Sequence, residues 1–230
     1  KHRDHFSHSA YVFAIGLAVY AADQTYRQAF RRFYGLDGED YRSFLRLWGL
    51  TALFHDVGYP FELAHDQIRD YADRMWDERK GRVPFVSYGN MDAFDQLDAH
   101  AAGVDPALGE ACGSINRLLA YGVSRRMGYD AAIVESTLRG CPTRIFEGRD
   151  GGDPVANAKT ARFMDHAYFS AAILLRQIFD KNPEGLTVET LDALTAILLH
   201  NSFNKNKRSD LPAGMVKPVA REAHPLAYLL

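Results

Sequence analysis

The chain has 230 residues, 47% of them apolar and 24% charged, and a formal net charge of −2. That length and apolar content support one sizeable core, and the near-neutral balance excludes a globally basic surface for nucleic acid. No apolar run reaches the roughly 18 to 20 residues that span a bilayer; the longest, from Ala10 to Ala22, is too short and carries tyrosines. Cys112 and Cys141 form neither a CxxC pair nor a disulfide framework, so a reducing, cytoplasmic setting is expected. The sequence starts at Lys1 with no signal-peptide pattern and closes on "HPLAYLL". The expectation is therefore a piece of a longer protein, with other domains beyond it.

Helical periodicity dominates from the start. The spacing predicts a first helix from about Asp4 to Tyr34, bent near Gly16, and a second from about Asp40 to His55, stopped by Gly58 and Pro60. A third, strongly amphipathic, covers "FELAHDQIRDYADRMWDERK". The nearest approach to strand alternation is "RVPFVSY" (82–88), which Pro84 weakens. Shorter helices are expected over 92–101, 106–121 and 127–138. The stretch "CPTRIFEGRDGGDPVANAK" (141–159) reads as a long functional or mobile loop. A helix from Ala161 to Lys181 follows, then one from Thr187, a fair N-cap, to Phe203. After the polar loop "NKNKRSDLPAG", the last helix is expected to begin near Pro218.

Nine histidines are present, and four lie on helix faces that otherwise call for burial. His8 shares a stripe with His5, Val12, Ile15 and Val19. His55 follows Trp48, Thr51 and Ala52, with Asp56 beside it. His166 lines up with Phe163, Ser170 and Leu174, and His200 with Ala193, Ala196 and Ile197. Burying an imidazole without a partner costs roughly 1 to 3 kcal/mol. Four from four helices can satisfy one another by converging on a metal, for which imidazole and carboxylate are good ligands. The rival is a set of separate hydrogen-bonded core histidines, the commoner role of a lone one. The His55–Asp56 doublet bears on the choice. Neighbouring helical residues diverge by about 100°, so both reach one ion only from a helix end, which Gly58 supplies. Spacing alone leaves both readings standing.

"HSAYV", then "LTALFHDVGYP", then "DHAYFSAAILL" and "AILLHNSF" together resemble the HD-domain metal-dependent phosphohydrolase superfamily. The resemblance implies an all-α fold: a single HD-type helical bundle over 1–230, with a helical insertion at about 65–160 and few or no strands. It makes His8 the first ligand, His55 and Asp56 the doublet, and His166 and His200 the two further ligands of a dinuclear site. The implied cofactors are two divalent transition ions (Fe, Mn, Zn, Ni or Co). The implied reaction is hydrolysis of a small phosphomonoester or phosphodiester, a nucleotide above all, with no membrane partner. Asp56 and His5 are the expected catalytic residues. Tyr59 is an expected substrate contact, as are Lys205, Lys207 and Arg208, whose alternative is a solvated basic loop.

The chain departs from the family pattern in two places. "VGYP" replaces the more usual "IGK", so a lysine often found beside the substrate is missing. No clear final Asp is present either: Asp210 is a weak candidate in a polar loop, and the residue is expected beyond Leu230. Two alternatives share the scaffold, a di-iron oxygenase of the myo-inositol oxygenase type and a non-catalytic HD-like regulatory domain. His65–Asp66 reads as solvated surface or the edge of the site. His2, His100 and His224 read as surface, and both cysteines as inert.

Overall fold

The computed structural model describes residues 5–38, 40–64, 67, 114–139, 166–181, 186–200 and 219–230. The fold is all-α, with no strand among the described residues. Its helices are α1 (His5–Ala22), α2 (Gln24–Tyr34), α3 (Tyr41–Phe54), α4 (Ile115–Met127), α5 (Ala131–Arg139), α6 (His166–Lys181), α7 (Val188–Leu199) and α8 (Pro225–Leu229). The expected helix at 92–101, the strand-like 82–88 and the loop at 141–159 lie outside the described residues. So do His2, His65, Asp66, His100, Cys112, Cys141, Lys205, Lys207, Arg208 and Asp210.

The bundle is organised around α7, in which every residue from Thr190 to Leu199 is buried. A helix that is apolar on all sides needs neighbours on all sides, and α3, α4, α6 and α8 pack around this one. Thr187 caps it by accepting the Thr190 N–H. A second layer forms where α1 lies on α3. There the Trp48 indole is fully buried and donates its N–H to the Phe13 carbonyl at 2.9 Å. Gly16 makes that fit possible, since a Cβ there would stand 2.1 Å from the indole.

The expected bend near Gly16 is not where the first helix breaks. The break falls at Asp23, whose extended backbone (φ −94, ψ 101) lets its carboxylate accept the N–H groups of Thr25 and Tyr26 and start α2. Arg27 reaches back to close the last carbonyls of α1, at 2.8 Å to Tyr20 and 2.6 Å to Ala21. A capping aspartate thus overrides continuous helical periodicity.

Three further expectations are corrected. The stripe through Ile15 is not the buried face of α1: Ile15 is 60% exposed, while Gly16 and Tyr20 are buried. The last helix begins at Pro225, not near Pro218. Pro225 takes the first helical position, where its missing N–H costs nothing, and His224 caps it from Nδ1 to the Ala227 N–H. His224 is consequently fully buried, packed 5.2 Å from the Phe33 ring, and is not a surface residue. Within the 65–160 segment, Ile115, Leu118, Leu119 and Val123 of α4 are fully buried and α4 packs on α7.

Candidate metal centre

The doublet owes its geometry to the end of α3. Regular helix stops at Phe54, His55 is the C-cap, and residues 55–58 turn before a helical segment at 59–64. The turn is held by the N–H of Val57 on the Phe54 carbonyl (3.3 Å) and of Tyr59 on the Asp56 carbonyl (3.0 Å). Both doublet side chains therefore face the same space. Gly58 lets α6 press against this turn: its N–H donates to Ser170 Oγ at 2.8 Å, and a Cβ would sit 2.3 Å from the His166 carbonyl oxygen. This close approach, with no unusual backbone angle, is what the glycine provides.

Asp56 occupies the middle of the site. Its Oδ2 lies 3.5 Å from His55 Nε2, 3.7 Å from His8 Nε2 and 3.5 Å from His5 Nδ1. Its Oδ1 lies 3.4 Å from His166 Nε2 and 3.6 Å from His200 Nε2. His166 and His200 face each other, Nε2 to Nε2, at 3.0 Å. The sequence-predicted residues His5, His8, His55, Asp56, Tyr59, His166 and His200 are thus brought together from α1, the α3 turn, α6 and the end of α7.

The proton positions follow from acceptors that cannot themselves donate. His55 Nδ1 donates to the Ala52 carbonyl at 2.8 Å, and His200 Nδ1 donates to the Ile197 carbonyl one turn back. His166 Nδ1 pairs with Glu62 Oε2. In the neutral rings, Nε2 is then a bare lone pair in all three, and all three point at a carboxylate. Burial pushes His55 down to about 4 against the pull of Asp56, so its ring is neutral at pH 7. With these tautomers three ring lone pairs and the Asp56 carboxylate converge on one space. The C-terminal ends of α3 and α7 add partial negative charge.

A cation placed there would resolve this convergence. Two ligand atoms about 2.0 to 2.1 Å from one ion lie about 2.8 to 3.4 Å apart at octahedral or tetrahedral angles. The separations here run from 3.0 to 3.7 Å. The donors form two groups that can each hold an ion, His8–His55–Asp56 and Asp56–His166–His200, the ligand atoms of each lying within 4.8 Å of one another. The residues fit two borderline-soft divalent ions with Asp56 shared.

The adjoining cavity measures about 290 Å³ and carries Val12 and Leu230 on its apolar side. At its edge the Tyr59 and His5 rings pack with centres 4.1 Å apart and planes tilted by 38°. Sequence reasoning missed Glu62 and Ser170. Glu62 looks like any acid on an amphipathic helix, and its partner His166 is 104 positions away. Ser170 had appeared only as a stripe neighbour of His166. No family model, curated protein or solved structure matches the chain.

Proposed function

We propose that the protein is a metal-dependent phosphohydrolase of the HD type, acting on a small phosphomonoester or phosphodiester, with a nucleotide as the favoured substrate class. The observation that carries the reading is Asp56: one oxygen faces the His8–His55 pair and the other the His166–His200 pair. A bidentate carboxylate between two neutral His pairs suits two cations better than one. Divalent ions bound there would polarise the phosphoryl oxygens and lower the pKa of water toward about 7.

The chain's own groups do the rest. Imidazole ligands would add no charge to bound ions, so with a single ligating carboxylate the centre would stay cationic and attract a phosphoester. The apolar side formed by Val12 and Leu230 limits water around the phosphate, and the cavity of about 290 Å³ suits a small molecule rather than a polymer. His5 differs from the proposed ligand rings. It lies at the edge, with 31% of its side chain exposed, its Nδ1 near Asp56 and its face against Tyr59. We assign it the proton delivered to the leaving oxygen. Tyr59 holds that ring and meets the substrate. Lys205, Lys207 and Arg208 are assigned to phosphate capture from sequence alone.

The test is release of p-nitrophenol from its phosphomonoester and phosphodiester by protein loaded with Mn²⁺ or Co²⁺, followed by a panel of nucleotides. Metal-dependent turnover of either ester class supports the reading. Protein that binds both ions and cleaves no phosphoester contradicts it.

A further inference from the structure

The two halves of the centre are not equivalent, and the residue that separates them is Glu62. It lies in the helical segment that follows the doublet turn, with 16% of its side chain exposed. One oxygen, Oε2, accepts the His166 main-chain N–H at 3.3 Å and also pairs with His166 Nδ1. A single carboxylate thereby ties both the backbone and the ring of His166 to the segment after the doublet turn, and sets which way the ring faces and which ring nitrogen carries the proton. The ring's Nε2 is left aimed at Asp56 and His200.

The other rings are held differently. His55 and His200 give their Nδ1 protons to carbonyls of their own helices, which are neutral acceptors. His8 makes no Nδ1 hydrogen bond among the described residues, and its side chain is 45% exposed. A carboxylate behind a ligating imidazole both orients it and raises its basicity, more than a neutral carbonyl does. Both rings of the His166–His200 half are fixed, one of them by an anion. In the His8–His55 half only one ring is fixed.

We infer that Glu62 is a positioning residue acting through His166, and that it makes Asp56–His166–His200 the half that takes the first metal ion, with the His8 half filling second. The inference rests on the proposed metal centre but not on the reaction assigned to it.

The experiment is Co²⁺ titration of the metal-stripped chain, followed by the visible spectrum and by competition with a chelator. Wild-type protein, Glu62→Gln, Glu62→Asp and His8→Ala are compared, each with its melting curve. Glutamine retains an oxygen to accept both hydrogen bonds and loses only the charge. A residue that merely tethers His166 through hydrogen bonds would therefore be indifferent to the change. Two binding phases are expected in the wild type. Glu62→Gln weakens the first ~10- to 100-fold and alters its spectrum, Glu62→Asp recovers part of the loss, and His8→Ala abolishes the second phase while keeping the first. An unchanged first phase in Glu62→Gln overturns the inference alone. So does loss of the first phase in His8→Ala, which decides the matter if Glu62→Gln does not fold. Wild-type protein that binds no ion overturns the inference and the proposed function together.

Discussion

Five imidazole nitrogens lie within 3.7 Å of the Asp56 carboxylate. His5 is the member with the most freedom to act on a substrate, because it packs against Tyr59 at the cavity edge and the two ligand groups do not need it. His5→Ala is expected to lower kcat by ~10²- to 10⁴-fold, the usual contribution of a positioned proton donor, with both metal ions retained. Elemental analysis beside steady-state kinetics checks this; loss of an ion would make His5 a ligand instead. At this scale the sequence was informative wherever a histidine ended an apolar stripe. His55, His166 and His200 followed from that pattern because their helices really are buried on that side. The rule failed at His224. The residue sits before a proline in a short segment, and its burial comes from long-range packing against Phe33 of α2. Glu62 was out of reach for a similar reason, since nothing local marks a carboxylate whose partner lies on another helix.

The elements meet at the turn after α3, where two polar residues are brought to one point because the helix stops and α6 crosses the stop. Gly58 is the contact that matters. A methyl group there would strike main-chain atoms of α6, at 2.3 Å from the His166 oxygen and 2.5 Å from the Ser170 nitrogen, and backbone cannot swing aside as a side chain can. Gly58→Ala should therefore cost ~1 to 3 kcal/mol, as overpacking does, and should weaken metal binding by moving His166 away from Asp56. Melting curves and metal stoichiometry test this, and a variant with wild-type values in both would show that α6 adjusts freely. Helix identity was legible in most of the described chain, and α3, α6 and α7 lie close to their expected bounds. The face of α1 was not. Alanines, aromatics and Ile15 surround it, so apolar spacing does not single out the side that meets Trp48. The break at Asp23 was hidden because a capping carboxylate and a helical surface acid look alike until the backbone is seen.

Across the whole molecule, α2, α4, α7 and α8 are joined away from the metal centre by a buried polar cluster. Arg126 forms a two-pronged ion pair with Asp192 and stacks over Phe33 at 3.9 Å. His224 lies beside it, its pKa lowered to about 3 by burial and by the Arg126 charge. In the unfolded chain a histidine titrates near 6.5. The folded form excludes a proton that the unfolded form accepts, so this contribution to stability is complete above about pH 6.5 and is lost as pH falls toward 3. Stability should decline through that window, and His224→Asn, which can still cap α8, should make the decline shallower by up to ~1.4 kcal/mol per pH unit. Denaturation midpoints from pH 7 to 4 test it; equal slopes would place the acid sensitivity elsewhere, with His55, lowered to about 4, the next group to examine.

The central claim is that the bundle converges on Asp56 in order to hold two cations. Asp56→Asn keeps the size of the side chain and removes its charge. The direct measurement is the metal content of wild-type and Asp56→Asn protein after identical loading, taken beside their melting curves. The account predicts two ions per wild-type chain and few or none in the variant. The variant should fold, because the Asp56 charge is removed together with the ions it would balance. An Asp56→Asn protein that retains the wild-type metal content would contradict it.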